Sequence, residues 1–378
     1  MSESRIKTLV VPSWYPSDSN PTSGAFIREQ VRALAPVADM AVIHVGQGEG
    51  PGQEVTFEGG VTVVRVTVPQ GRLATLRSLP SAGLAALEAL SHESGLPDIV
   101  HVQALWPAGL IARAINRRYG IPYVVTEHSE EYSIASERRL VKTPGMVPLV
   151  LRPLARSASR TIAVSHHLMS RLVELGLAKD PVVIPNVVLV SKPEPLPPDE
   201  PHVITHVSIM SPAKNLDALL RSAETLRQRR SDFRLRLVGD GEMRKSLEAL
   251  SSSLSLDEIV EFTGMKPAAE VRALVAQSAF TVVSSTHETF SVTAAESLMC
   301  GRPVLSTRCG GPEEFITAEV GRLIGAGSVD ALVKGLDWML DHYTDFDPQA
   351  LHDYAKARFA PEVVAVQILQ VYRGVLGV

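Results

Sequence analysis

Short β-branched, apolar runs alternate along the chain with longer stretches whose hydrophobic positions recur at helical spacing. Residues 8–11, 40–45, 61–66, 99–102, 123–126 and 161–164 read as strands. Residues 26–34 and 108–119, lying between them, have helical spacing and polar outer faces. Such alternation means a parallel sheet with crossover helices, so the first half predicts one doubly wound α/β domain. Gly59-Gly60 predicts a hairpin turn within it. After an apolar run at 182–184 and Pro185-Asn186, the chain carries Pro193, Pro195, Pro197, Pro198 and Pro201. Proline at that density stiffens a linker and forbids helix. The alternation then restarts, with strands expected at 203–207, 234–238, 259–262, 280–283 and 303–306. This gives a first domain at 1–188, a linker at 189–202 and a second doubly wound domain at 203–360. Residues 361–376 are apolar at Val363, Val364, Val366, Ile368, Leu369 and Val371 and predict a last helix. Ligands bind such sheets beyond the carboxyl ends of their strands, so a cleft between two such domains is the expected site.

Composition supports two domains, because 378 residues exceed the size at which one core usually stops growing. Hydrophobic residues at 45% and charged residues at 21% describe a globular chain with apolar side chains enough for two cores. A formal net charge of -4 argues against a nucleic-acid partner held by excess positive charge. Cys300 and Cys309 have no zinc-ligand spacing and are too few for a disulfide framework, which fits reduced thiols in a cytoplasmic protein. No apolar run approaches the roughly 18 residues of a spanning helix, and residues 1–5 lead into a strand instead of a signal sequence. A basic, apolar segment at 138–160 carries Arg138, Arg139, Lys142, Arg152, Arg156 and Arg160. It reads first as a solvated face over a buried helix. The alternative is reversible attachment to the inner face of an anionic membrane.

The chemistry concentrates after the apolar strand FTVVSS, where the chain continues HETFSVTAAESLMCGRPVLSTRCGGPEEF from His287. Strand, polar loop and helix bring backbone N–H groups to bear on phosphate. A helix beginning near Ser291 turns the amides of Phe290, Ser291, Val292 and Thr293 toward a ligand at its positive end. Glu288 then precedes the helix and Glu296 lies in its second turn. Their separation is about 12 Å at most, the span between the two ends of an extended nucleotide-sugar. Carboxylates so placed can grip hydroxyls on different parts of one ligand, although an arbitrary glutamate pair is more often two solvated helix-face acids.

Glu288 and Glu296 match the Glu-x7-Glu signature of the family-4 retaining glycosyltransferases, and further landmarks occur in that family's order over nearly the whole chain. PSWYPSDSNPTSGAFIREQ resembles the opening strand and glycine loop; VHVQALWPAG and VVTEHSEEY resemble later first-domain segments, which AVSHHL and IPNVV close. HVSIMSPAKNLDALL is similar to the lysine-bearing donor loop, LVGDGEMRKSLE to the next strand and turn, and FTGM to the base-contacting loop. The resemblance implies the GT-B fold, two doubly wound Rossmann-like domains facing a central cleft, with residues 361–378 packed on the first domain. It implies that Glu288 bonds the donor sugar, Glu296 the ribose and Lys214 the diphosphate. His128 would stand beside the transferring sugar, Gly24 would let a first-domain loop approach the donor or acceptor, and Gly264 and Met265 would offer backbone contacts to the base. It further implies retention of anomeric configuration, no obligatory cofactor or metal, a nucleotide diphosphate sugar as donor, and a sugar, lipid-linked or small-molecule acceptor.

One position departs from the pattern. Where the family usually shows an arginine five residues before the lysine, this chain has Ile209. Lys214 then carries more of the diphosphate charge, with Arg308 a candidate helper, or the site has decayed. The plainer readings are that Lys214 is a surface residue before an Asn215 helix cap, that His128 and His101 are core histidines, and that Gly24 and Gly310-Gly311-Pro312 merely serve turns. Gly46 to Gly50 follows a strand like a dinucleotide fingerprint, but Pro51 and a new strand stand where a helix is required, so a flexible loop is expected. Asp345-Phe346-Asp347 imitates a metal motif, yet its place before Pro348 predicts helix capping. The rival functions are a nucleotide-sugar epimerase, a phosphorylase, and a non-catalytic nucleotide-sugar-binding or scaffolding protein.

Overall fold

The computed structural model describes residues 5–17, 20, 22–48, 52–69, 72–129, 132, 142–197 and 201–378. The chain forms two compact units, Met1–Val187 with Pro361–Val378, and Val188–Ala360.

In the first unit an eight-stranded sheet has the order β3 (Gly52–Glu58), β4 (Val61–Pro69), β2 (Asp39–Gly48), β1 (Lys7–Pro12), β5 (Ile99–Gln103), β6 (Tyr123–Glu127), β7 (Arg160–Ala163), β8 (Pro181–Val183). Neighbours pair in parallel except in the β3–β4 hairpin, which turns at Gly59-Gly60. The helices are α1 (Ala25–Leu34), α2 (Arg72–Ser94), α3 (Gly109–Tyr119), α4 (Arg152–Ser157), α5 (His166–Leu175) and α12 (Pro361–Leu376). On one sheet face Val10, Val42, Val63, Ile99, Val124 and Ile162 form a core with Ile27, Val31 and Leu34 of α1 and Val364, Ile368 and Val371 of α12. The i, i+4, i+7 spacing on α1 puts those three side chains on one stripe, and their burial holds the helix on the sheet. The final helix thus belongs to the first unit, although 173 residues of the second precede it.

The second unit is a six-stranded, wholly parallel sheet in the order β11 (Val260–Gly264), β10 (Phe233–Val238), β9 (His202–Val207), β12 (Phe280–Val283), β13 (Val304–Thr307), β14 (Gly321–Ile324). Its helices are α6 (Leu216–Arg227), α7 (Arg244–Ser253), α8 (Ala268–Ala276), α9 (Val292–Met299), α10 (Val329–His342) and α11 (Pro348–Phe359). Both sheets reverse strand order beside their first strand, between β1 and β5 and between β9 and β12. Each unit thereby has a topological switch point, where the loops diverge and leave a crevice.

Several details differ from the sequence pattern. The glycines from Gly46 do not begin a flexible loop: β2 runs through Gly48, paired with β4 to Pro69, while Glu49 and Gly50 lie outside the described residues. Among its described residues the proline-rich stretch has no helix, as its prolines require, but from Val188 onward it belongs to the second unit. Arg302 there is fully buried and donates to the carbonyls of Glu194, Pro195, Gly301 and Ala276, which replace the water its charge loses. Asn215 takes the N-cap position of α6 in a left-handed conformation with no side-chain capping bond. Asp347 does cap α11, accepting from the Gln349 amide at 3.1 Å. In the basic segment Arg138 and Arg139 lie outside the described residues; Arg152 donates to the Leu175 carbonyl and Arg160 pairs with Asp180 at 2.9 Å. Among the described residues no helix is long and apolar enough to cross a membrane.

Candidate active site

Lys214 and Glu288 follow β9 and β12, the two strands flanking the second unit's switch point. After β9 the chain makes a single 3-10 turn, Pro212–Lys214. After β12 come Ser284 and Ser285, both buried, and then the loop to α9. The two loops are stitched together: Ser284 Oγ donates to the Lys214 carbonyl at 2.8 Å and the Thr286 amide to the Ala213 carbonyl at 2.9 Å. That stitching brings Lys214 Nζ to 2.8 Å from Glu288 Oε1, which also accepts from Ser285 Oγ at 2.7 Å. The side chains keep only 16% and 11% exposure, so the pair is weakly screened. Oε1 is committed, and Glu288 Oε2 has no hydrogen bond among the described residues.

A second brace holds Glu288 by its backbone. Its amide donates to the Cys309 carbonyl at 2.7 Å, and its carbonyl accepts from the Gly311 amide at 2.9 Å. A Cβ on Gly311 would lie 2.4 Å from the Thr289 carbonyl oxygen and 2.5 Å from Phe290 Cα, so only glycine permits this approach. Gly311 therefore serves the site by supporting the loop. Phe290 is buried edge-on to Phe359 and tilted against Phe315, anchoring the loop and leaving only its backbone for a ligand. Helix α9 begins as expected, with Ser291 at the N-cap and Glu296 in the second turn. The first amide bonded within the helix is that of Ala295, to Ser291, so the amides of Val292, Thr293 and Ala294 precede the internal ladder.

The other expected residues of this unit lie at the same ends of the sheet. Gly264 closes β11, and Met265 after it is half exposed. Ile209 follows β9 and is 61% exposed, an apolar side chain left in solvent. Arg308 is exposed and pairs with Glu313 at 3.3 Å, so its charge is already partnered. His206, not singled out in the sequence, is buried at the end of β9, its Nδ1 2.9 Å from the Val282 carbonyl; burial lowers it to about 4.

In the first unit His128 follows β6, buried, with its ring 4.8 Å from that of Phe26. Its Nε2 is 2.7 Å from Gln103 Oε1, and burial drives its pKa down to about 3. Gly24 caps α1 at φ 68°, where an added Cβ would meet the Trp14 carbonyl oxygen at 2.6 Å. Its glycine requirement is thus met inside its own loop. His101 points into the unit's interior: it is fully buried in β5, with Nδ1 2.6 Å from Tyr372 Oη of α12 and Nε2 2.7 Å from Thr126 Oγ1. Sequence reasoning missed Ser285, Gln103 and Glu127. Glu127 is fully buried, accepts from the Leu105 amide at 2.6 Å and from Tyr132 Oη at 2.9 Å, and is pushed up to about 7 by burial. A carboxylate at the carboxyl end of an otherwise apolar strand was the available signal. Among the described residues no group of three or more His, Cys, Asp or Glu is placed to hold a metal ion.

Residues 22–187 match the family model of the glycosyl transferase 4-like domain, and residues 190–358 match that of glycosyl transferases group 1. An uncharacterized glycosyltransferase of Methanocaldococcus jannaschii is 26% identical over 58% of this chain and 58% of its own length. D-inositol 3-phosphate glycosyltransferase of Thermobispora bispora is 28% identical over 92% of this chain and 84% of its own. Among solved structures, sucrose-phosphate synthase of Thermosynechococcus elongatus superposes with a TM-score of 0.81 at 20% identity, covering 98% of this chain and 99% of that one. Two parallel Rossmann-like sheets, a Glu-x7-Glu loop at the switch point of the second, and family models matching both units show that the chain belongs to the family-4 glycosyltransferases of the GT-B type.

Proposed function

We propose that the protein is a retaining hexosyltransferase that moves a sugar from a nucleotide diphosphate donor to an acceptor hydroxyl, in glycan, glycolipid or small-molecule glycoside synthesis. The observation that carries this reading is the Lys214–Glu288 pair at the switch point of the second unit. Lys214 takes the donor diphosphate, exchanging one oxygen anion for another, and the first amides of α9 add their dipole. As the bond from the anomeric carbon to the β-phosphate oxygen lengthens, negative charge grows on the diphosphate, and this fixed positive field stabilises it. Glu288, with Oε1 held by Ser285, offers Oε2 to a donor-sugar hydroxyl. Glu296 binds the ribose, and Gly264 and Met265 the base. His128 contacts the transferring sugar as a neutral ring, and Gly24 keeps its loop close to the substrates. The acceptor oxygen attacks the face the diphosphate leaves, giving up its proton to the β-phosphate.

A thermal-shift panel of nucleotide-sugars identifies the donor, because a ligand stabilises by RT ln(1 + [L]/Kd). With that donor, the product's NMR spectrum shows the retained anomer, and a chelator leaves the rate unchanged. An inverted anomer, or activity restored only by a divalent ion, defeats the mechanism. Conversion of donor without any acceptor favours an epimerase, and binding without turnover across a broad acceptor panel favours a non-catalytic relative. Peripheral contact with an anionic membrane is a second reading, favoured by Leu149, 77% exposed two turns before Arg156. Sedimentation with anionic liposomes tests it.

A further inference from the structure

His206, the last residue but one of β9, is buried with both ring nitrogens in hydrogen bonds. Its Nδ1 lies 2.9 Å from the Val282 carbonyl oxygen of β12, and its Nε2 lies 2.8 Å from the Oγ of Ser208, just beyond the strand. The two bonds run in opposite senses. A carbonyl oxygen only accepts, so the ring proton stands on Nδ1, and the neutral imidazole is left with a bare Nε2 that only accepts. Ser208 is therefore the hydrogen-bond donor in the second bond, and its one hydroxyl proton is turned inward to the ring. We propose that His206 is a positioning residue that draws the Ser208 proton inward and so presents Ser208 Oγ to the nucleotide-sugar as an acceptor, matched to a hydroxyl or N–H of that ligand and unsuited to its phosphates. The ligand half of this inference rests on the reading of the second unit's switch point as the nucleotide-sugar site.

The backbone holds Ser208 at that switch point. The carbonyl of Val207 before it accepts from Thr293 Oγ1, in the first turn of α9, at 3.3 Å. Its own amide donates to the Val238 carbonyl at 3.0 Å, and a Cβ on Gly239 would overlap its carbonyl oxygen, so the segment is pressed against the loop after β10 and runs on to Lys214. Ser208 is half-buried, and the ring behind it is buried. Burial lowers that ring to about 4, so at physiological pH it is neutral; a ring cation would donate from both nitrogens and reverse the bond to Ser208. An acceptor oxygen repels a phosphate oxygen and bonds a hydroxyl or N–H. Ser208 thus reads an uncharged part of the nucleotide-sugar, beside a lysine that serves the charged part.

Nitrogen-15 NMR of the histidine-labelled full chain at neutral pH tests the proton arrangement, with His206 identified as the ring whose Nε2 signal moves in Ser208→Ala. The proton is expected on Nδ1 in the wild type and in Ser208→Ala alike, since the Val282 carbonyl fixes it; a wild-type ring protonated on Nε2 overturns the proposal. Calorimetry with the nucleotide-sugar found in the thermal-shift panel, its nucleoside diphosphate and inorganic pyrophosphate tests the ligand half. Ser208→Ala should weaken the nucleotide-sugar about fivefold, and the nucleoside diphosphate equally when the bonded group lies on the nucleoside, with pyrophosphate unchanged. An equal loss for pyrophosphate, or no loss for any of the three, overturns the assignment. His206→Phe should weaken the nucleotide-sugar about threefold with Ser208 present and no further in the Ser208→Ala background, because a residue that acts through Ser208 then has nothing to position. Equal losses in both backgrounds make His206 structural and overturn the positioning. If the phenylalanine variant does not fold, the wild-type spectrum and Ser208→Ala still decide. A wild type with the proton on Nδ1 that binds no nucleotide-sugar refutes the site on which the ligand half rests, so that failure is distinct from a wrong tautomer.

Discussion

The two units solve the same topological problem with opposite chemistry. Each sheet reverses strand order beside its first strand and puts polar groups beyond the carboxyl ends of the strands there. In the second unit those groups are charged and partly solvated, Lys214 against Glu288. In the first they are neutral and buried, His128 on Gln103 and Gln103 on Gln30. The fold therefore supplies a place and leaves the side chains to decide what happens in it. A charged pair suits a ligand that brings or gains charge, as a diphosphate does. A neutral buried network suits the orientation of a ring, because uncharged buried groups hold geometry without the desolvation cost of ions.

The contrast breaks most visibly at the charged pair. Lys214→Ala should lower transfer by roughly 10²- to 10³-fold, since it removes a cation from the leaving diphosphate and an ion partner from Glu288. Ile209 offers no second cation, and Arg308 is paired elsewhere, so little compensation is expected. Lys214→Arg should recover part of the rate, because a planar fork replaces a point charge. Glu288→Ala should be comparably damaging, and the double variant hardly worse than either alone, as for residues acting as a unit. Steady-state kinetics with the confirmed donor measure all four; near-wild-type turnover in Lys214→Ala rejects the electrostatic account.

Acid stability sharpens the contrast in the other direction. His44, His101 and His128 in the first unit are held near 4, 3 and 3 by burial, and His206 in the second near 4, against an ordinary 6.5. A histidine depressed in the folded state takes up its proton only on unfolding, so acid destabilises the fold between 6.5 and the folded value. Glu127, raised to about 7 from 4.5, holds a proton in the folded state and opposes this in the same window. Between pH 4.5 and 6.5 three depressed histidines set against Glu127 therefore make the first unit lose stability on acidification more steeply than the second, where His206 acts alone. Hydrogen exchange followed across that window should show the first unit's protection falling more steeply; equal slopes would remove the distinction.

How much of this was legible in the sequence follows the same division. The positions of Glu288, Glu296 and Lys214 were readable because each stands in a strand–loop–helix motif: the structure puts Lys214 and Glu288 just after strands and Glu296 in the second turn of α9. The parallel strands were readable because apolar runs repeat, while α2 was not, since Pro80 interrupts an already weak pattern. Gln103 was hidden because its meaning lies in partners 25 and 73 residues away. Arg302 resembles any arginine in a turn, and only the fold supplies the distant carbonyls of Glu194, Pro195 and Ala276 that let it be buried.

A smaller effect separates the two glutamates. Glu296→Ala should weaken binding of the free nucleoside diphosphate about fivefold, the loss of roughly 1 kcal/mol for one hydrogen bond to a ligand hydroxyl. Glu288→Ala should leave that binding nearly intact, since its partner is on the sugar. Calorimetry showing equal losses would dissolve the division of roles.

The smallest effect concerns two helix caps that share one backbone conformation. Gly24 caps α1 at φ 68° and Ser291 caps α9 at φ 70°. Glycine adopts that region freely, while a residue with a Cβ is held there at a cost of roughly 1–2 kcal/mol. The serine hydroxyl gives nothing back as a cap, for it makes no capping hydrogen bond. Strain of this kind persists where the surroundings impose it, and here the Cys309–Gly311 brace fixes the loop on one side while α9 fixes it on the other. Ser291→Gly should relieve the strain, partly offset by the greater freedom of an unfolded glycine, for a net gain of about 0.5 kcal/mol in stability. Ser291→Ala keeps the Cβ and should gain nothing. If the hydroxyl touches the donor phosphates, both variants lose nucleotide affinity by the same several-fold factor, since both lack it. Thermal denaturation and calorimetry on the pair separate the two contributions: equal melting temperatures place no strain at Ser291, and unchanged affinity in both assigns the phosphates to the backbone amides alone.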